Sequence, residues 1–154
     1  MRLLKHSGTR WQYRLNSKEG LLLRMLLREF PLTPATAVKI TRTGGDARSA
    51  ERERLLNETL RQHRKDLKRR ASRLLTTKLK AAEDGWRLSM NLDEREILLQ
   101  LLNDVRVESW HALGEPECLD ALAPQASETD QKHHQLMHVA GYFEWKLVGE
   151  DGSI

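Results

Sequence analysis

From Arg48 to Ala82 the chain reads RSAERERLLNETLRQHRKDLKRRASRLLTTKLKAA. No proline or glycine interrupts it from Ala47 to Glu83. Those two residues disfavour a helix interior most, so their absence predicts one continuous helix across the whole run. At about 1.5 Å per residue such a helix is a rod on the order of 50 Å long. Leu56, Leu60, Leu67 and Leu74, with Ala71 between them, make a narrow apolar stripe flanked on both sides by cations. Between Arg48 and Glu83 stand 12 Lys and Arg against 5 Asp and Glu, densest at Lys68-Arg69-Arg70. The run sets the fold class as mainly α.

Downstream, Asp84-Gly85 closes this helix, Gly85 suiting a left-handed terminal position. Trp86, Leu88, Met90 and Leu92 then alternate with Arg87, Ser89 and Asn91, the period-two pattern of a strand. Asp93 with Glu96 three residues on reads as an N-cap with its capping box, and Leu92 and Ile97 as the staple across it. The helix that follows, Asp93 to Leu113, is the most apolar in the chain and ends at Gly114 and Pro116. Residues 114–130 read as a mobile acidic loop. A last helix is expected from about Gln131 to Val148, and residues 149–154 as a frayed tail.

Upstream, the same grammar appears once more. Trp11, Tyr13 and Leu15 alternate with Gln12 and Arg14 as a short strand. Asn16 with Glu19 caps a helix that runs to about Phe30, where Pro31 and Pro34 stop it. Residues 31–47 form a linker in which Val38 and Ile40 permit a third short strand. Asp46 or Ser49 could cap the long helix. The expected architecture is a single domain, 1–154: a four-helix bundle with one long central basic helix and a small accessory β ribbon of two or three strands. Trp11, Trp86 and Trp110 are expected at the junction of ribbon and bundle.

The length of 154 residues suits one domain with a real core. A lone cysteine, Cys118, leaves no internal disulfide, and the N-terminal stretch lacks the apolar run of a signal peptide. A cytoplasmic protein without a membrane span is therefore expected. The net charge of +4 hides an asymmetry: residues 1–91 carry 22 Lys and Arg against 9 Asp and Glu, and residues 92–154 carry 4 against 13. Blocks of opposite sign can face each other as readily as a partner.

Three constellations carry candidate chemistry. Arg61, Arg64, Lys65, Lys68, Arg69 and Arg73 on the basic helix could neutralise phosphates or hold an acidic partner. No aromatic lies in that helix to stack a base, and the acidic second half offers an internal counter-charge. Its leucine spacing of seven would also serve a homodimer, although His63 and Arg70 interrupt the seam. His134 and His138 share one helical face, yet zinc needs a third and usually a fourth ligand, so no metal and no cofactor is assigned. Cys118 lies among acidic residues that disfavour a reactive thiolate. Asn103, Asp104 and Arg106, polar residues in the most apolar helix, read as a hydrogen-bonded network fixing helix register, with a ligand-facing surface as the alternative.

The segments Leu15–Arg24 and Leu92–Arg106 resemble an uncharacterised bacterial family, domain of unknown function 2017. The resemblance is strongest from Leu92 to Gly114, where Leu102-Asn103-Asp104-x-Arg106 matches that family's Leu-Asn-Asp-x-Arg run. It extends more loosely to Tyr142–Val148, and the long helix is more basic than in the family. The resemblance implies a small cytoplasmic helical protein without an established activity, in a proteolytic or regulatory context. The expectation is therefore a non-catalytic protein-interaction or regulatory protein whose partner is another protein. The alternatives are nucleic-acid binding through helix 48–82 and, third, a metal-dependent enzyme.

Overall fold

Asn16 and Asp46 are both extended in backbone, and each starts a helix. Asn16 accepts the Glu19 N–H at 2.8 Å while the Glu19 carboxylate accepts the Asn16 N–H at 2.8 Å, and Asp46 accepts the Ser49 N–H at 2.9 Å. Each bond satisfies an amide that the first helical turn leaves without a partner. The computed structural model describes residues 1–32, 46–118 and 126–149. The strand expected at Val38–Ile40, residues 119–125 of loop 114–130 and nearly all of tail 149–154 lie outside these residues. The elements in order are β1 (Arg2–Ser7), β2 (Arg10–Leu15), α1 (Ser17–Glu29), α2 (Ala47–Lys78), β3 (Leu79–Ala82), β4 (Gly85–Asn91), α3 (Leu92–Ala112) and α4 (Glu128–Gly149). The fold is mainly helical, four helices with a small four-stranded antiparallel sheet ordered β1-β2-β4-β3.

The sheet is larger than the two or three strands expected, for two reasons. Arg2–Ser7 is too polar to alternate cleanly, yet its backbone pairs with β2 through Leu3↔Tyr13 and His6↔Trp11. Leu79–Ala82 continues the helical run with no breaker, yet it leaves α2 and pairs with β4 through Leu79↔Leu88 and Ala81↔Trp86. Sheet pairing that buries Leu79 outweighs the helical propensity of those four residues. Gly85 does take a positive φ, +125°, but in the β3–β4 hairpin and not at a helix end.

The α3 cap also sits two residues earlier than expected. Two frames compete, Asn91-x-x-Glu94 and Asp93-x-x-Glu96. Strand β4 stays paired as far as Asn91, opposite Arg10, so the chain turns helical there and Asn91 closes the box with Glu94. Leu92 is left exposed, which rules out its staple with Ile97.

One core joins the layers. The inner sheet face supplies Trp11, Tyr13, Leu15, Leu79, Leu88 and Met90, and all four helices contribute buried side chains to it. α2 enters this core only through Leu67, Ala71, Leu74 and Leu75. The stripe expected to run its whole length is solvent-facing upstream, with Leu55 55% and Leu56 38% exposed. From Ala47 to Leu60 α2 buries no side chain, so it outruns the core there by roughly 20 Å. Trp86 lies over α1: a Cβ at Gly20 would sit 2.4 Å from its indole, and Arg24 stacks on the other contact at 4.2 Å from the ring centroid. Trp11 is buried at the same junction with Arg95 over it. Trp110, expected with them, stands some 18 residues down α3, about 27 Å from its start, and donates to the Pro116 carbonyl.

Candidate functional site

The clearest unpartnered surface is on α1. Its helix period puts Lys18, Leu21, Leu22, Met25 and Arg28 on one stripe. That stripe, with Arg24, lines a hollow of about 520 Å³. Leu21 is 65% exposed, an apolar side chain left in water at the centre of three cations. Helix α1 is itself held firmly. Asn16 and Glu19 cap its start, and Lys68 reaches from α2 to the Arg28 and Phe30 carbonyls at its end. A cation there also suits the negative end of the helix dipole. The Tyr142 hydroxyl on α4 bonds Glu19, and Lys132 pairs with Glu29.

The six cations expected to act together on α2 are divided by the fold. Lys68 is spent on the α1 carbonyls, and Arg64 turns inward to a buried carboxylate, with Nε 2.9 Å from Glu108 Oε1. Arg61 and Arg69 pair with carboxylates three residues earlier, Glu58 and Asp66, as Arg54 does with Glu51. Lys65 and Arg73 are exposed. Much of the helix's charge is thus answered within the helix itself. Lys78–Glu94 and Arg64–Glu108 are the ion pairs that join it to α3.

Asn103, Asp104 and Arg106 do not converge either. Asn103 is exposed, Arg106 reaches across to Glu144 on α4, and Asp104 is half-buried beside His63 and Arg64 of α2. Asn103 and Arg106, three apart, share one face, while Asp104 lies about 100° round the helix and meets α2 instead. Burial holds the Asp104 carboxyl above its ordinary pKa, and the charges of His63 and Arg64 offset only part of that. A carboxyl raised by folding adds stability that is full below its unfolded pKa and lost as pH rises through the folded one. At pH 7 the ionised Asp104 is therefore a cost. Asp104→Asn should raise the melting temperature at pH 7 by about 1–2 °C, and the gain should vanish below the ordinary aspartate value of 3.8. Calorimetry at both pH values checks this; a loss at pH 7 would mean that attraction to α2 outweighs desolvation.

His134 and His138 pair with each other, Nε2 to Nε2 at 3.1 Å, and Cys118 is exposed. Among the described residues no three His, Cys, Asp or Glu side chains come together as a metal site. No helix among them is long and apolar enough to cross a membrane.

A second surface was invisible to a reading that lacked β1 and β3. On the outer sheet face the register aligns Arg2↔Arg14, Arg14↔Arg87 and Arg87↔Lys80, a row of four cations across all four strands. Asp84, in the β3–β4 turn, forms an ion pair with Arg14 Nε and accepts from Arg87 Nη1, each at 2.9 Å. Arg87's hydrogen bond, with Arg14's charge beside it, holds the Asp84 carboxyl below its usual range. The signal present in the sequence was the outward set of the two legible strands, Arg10, Gln12 and Arg14 with Arg87, Ser89 and Asn91. No family model, no curated protein and no solved structure matches the chain.

Proposed function

We propose that this is a non-catalytic cytoplasmic interaction protein that holds a partner protein on the exposed face of α1. The single observation that carries the proposal is Leu21, 65% exposed in a hollow shared with Leu22 and Met25 and rimmed by Lys18, Arg24 and Arg28. An apolar floor with a basic rim fits an amphipathic helix whose apolar side is flanked by carboxylates. Charge on the rim sets partner choice and encounter rate, while the buried apolar contact supplies affinity. In this reading the helices form a bundle, and the long basic helix α2 serves as its scaffold, tied to α1 by Lys68. The free Cys118 fits a reducing compartment. Membership of the family that Leu92–Arg106 resembles is part of the same proposal, and fits a small cytoplasmic helical regulator.

The test is affinity capture from native lysate with and without nuclease treatment, with the wild type beside a Lys18→Glu, Leu21→Glu variant. Both side chains are exposed, so the variant should melt with the wild type. A protein retained by the wild type and released by the variant is the expected result. Identical retention by both, or retention abolished by nuclease alone, would overturn the proposal.

A further inference from the structure

Going beyond that reading, we infer that the outer face of the sheet, centred on the row Arg2, Arg14, Arg87 and Lys80, binds the phosphate backbone of a double-stranded nucleic acid. Like charges set directly opposite each other in neighbouring strands are unfavourable. Here three such contacts stand in succession, Arg2 beside Arg14, Arg14 beside Arg87 and Arg87 beside Lys80. Lys5 and Arg10 add charge on the same face, in the rows of Gln12 and Asn91. The strands place no carboxylate there. Asp84 and Glu94 stand at its margins, beyond the strand residues.

Asp84 shapes the row without cancelling it. It pairs with Arg14 Nε and accepts one N–H from Arg87, and a guanidinium carries five. The two arginine side chains keep 44% and 31% of their surface exposed, and planar guanidiniums match phosphate oxygens two at a time. The outer ends of the row, Arg2 and Lys80, are exposed.

Geometry decides among anionic partners. Three strand spacings of about 4.8 Å spread the row over roughly 14 Å. A duplex places a phosphate of each strand every 3.4 Å or so along its axis, so the row spans about four of them. A protein partner would be expected to find an aromatic or apolar anchor, and this face offers Gln12, Ser89 and Asn91 between the cations. Single strands are gripped largely by stacking their bases on aromatic rings, and Trp11 and Tyr13 both point to the core. Beside the row a hollow of about 350 Å³ gives the backbone a concave seat; Lys5, Arg10 and Lys78 border it, together with Trp11 and with Glu94, which pairs with Lys78. The helix α2 is the weaker candidate for the same ligand, because Arg61, Arg64, Lys68 and Arg69 are already paired.

The experiment is fluorescence anisotropy with the full chain and mixed-sequence probes: duplex DNA, duplex RNA, one single strand, and vesicles containing phosphatidylserine. Titrations run from about 50 to 200 mM salt. Duplex binding of either sugar type should appear at low salt with log K falling against log salt at a slope of about −3.5 to −5.5. Arg2→Gln with Lys80→Gln removes two cations that the fold does not visibly use, so melting should be unchanged. That variant should bind duplex at least about tenfold more weakly near 100 mM salt, with a slope shallower by about 2. Lys65→Gln with Arg73→Gln, on α2, should bind as the wild type does. The inference is overturned by no duplex binding at low salt, by preference for the single strand or the vesicles, or by loss on the α2 variant alone. Because the α1 variant and the sheet variant are separate, either proposal can fail without the other.

Discussion

Gly85→Ala should lower the melting temperature by about 10 °C or more, the loss expected from roughly 3–5 kcal/mol in a chain of this size. Two costs add. At φ +125° an alanine is strained wherever it stands, by about 1–3 kcal/mol. Its Cβ would also lie 2.3 Å from the Leu15 carbonyl oxygen and 3.0 Å from Asn16 Cα. Both neighbours are backbone, so neither can rotate away. Leu15 is fully buried at the end of β2, and Asn16 is the cap of α1. Relief therefore means moving a strand end and a helix start together, an overpacking cost of typically 1–3 kcal/mol. Gly8→Ala is the control, since Gly8 has φ +58° and nothing within 4 Å of an added Cβ. That change should cost only about 1–2 kcal/mol. Thermal melting of both variants checks the contrast; equal losses would show that clash at the β2–α1 junction contributes nothing.

That junction was partly legible in the sequence, and the way it failed is instructive. Alternation at Trp11–Leu15 and Trp86–Leu92, the Asn16–Glu19 box and the Pro31 stop are local signals, and the structure carries β2, β4 and α1 where they fall. Three signals were not local. Strand β1 is read through its partner, because its exposed face is Arg2 and Lys5 and its backbone bonds go to β2. Strand β3 looked helical because nothing in Leu79–Ala82 breaks a helix; only Leu88 and Trp86 across the hairpin decide it. The α3 cap had two equal frames, and the length of β4 chose between them.

Missing those two strands had a functional consequence. With β1 and β3 absent, Arg14 and Arg87 are two scattered cations; with them present, Arg2 and Lys80 complete a row. Conversely, the basic helix seemed the main charged surface because charge was counted along the sequence. In three dimensions Arg64 and Lys68 face inward, and the i to i+3 pairs screen Arg54, Arg61 and Arg69. Among the described residues the half-to-half attraction that the composition implied takes the form, for α2, of Arg64–Glu108 and Lys78–Glu94, with Asp104 beside His63 and Arg64. Exposed pairs of the kind seen along α2 contribute little to stability. A carboxylate removed from water is another matter.

Glu108 is that carboxylate, and Glu108→Ala is the second large effect. Its side chain is 5% exposed, and Arg64 opposite is 22% exposed. One oxygen accepts the Leu32 N–H at 2.7 Å, and the other faces Arg64 Nε at 2.9 Å. A single side chain on α3 thereby fixes α2 and the segment leaving α1. Truncation strands a partly buried guanidinium and an amide at once, and breaking a buried pair from one side costs about 3–5 kcal/mol. The melting temperature should fall by about 10 °C. Glu108→Gln keeps an acceptor for Leu32 while losing the charge, and should fall between alanine and wild type. Arg64→Met on the alanine background removes the stranded charge and should recover part of the loss, giving a coupling energy on the order of 1–3 kcal/mol in a double-mutant cycle. The two ends of α2 make this decisive. Upstream of Leu60 the helix buries nothing, and downstream Leu67, Ala71, Leu74 and Leu75 hold it. Arg64 sits where those regimes meet. If Glu108→Ala melts with the wild type, the four apolar side chains, with Lys68 and Lys78, anchor α2 without it. If it falls as expected, the basic helix is pinned to the acidic half at a buried point, beside the ties that Lys68 makes to α1 and Lys78 to Glu94.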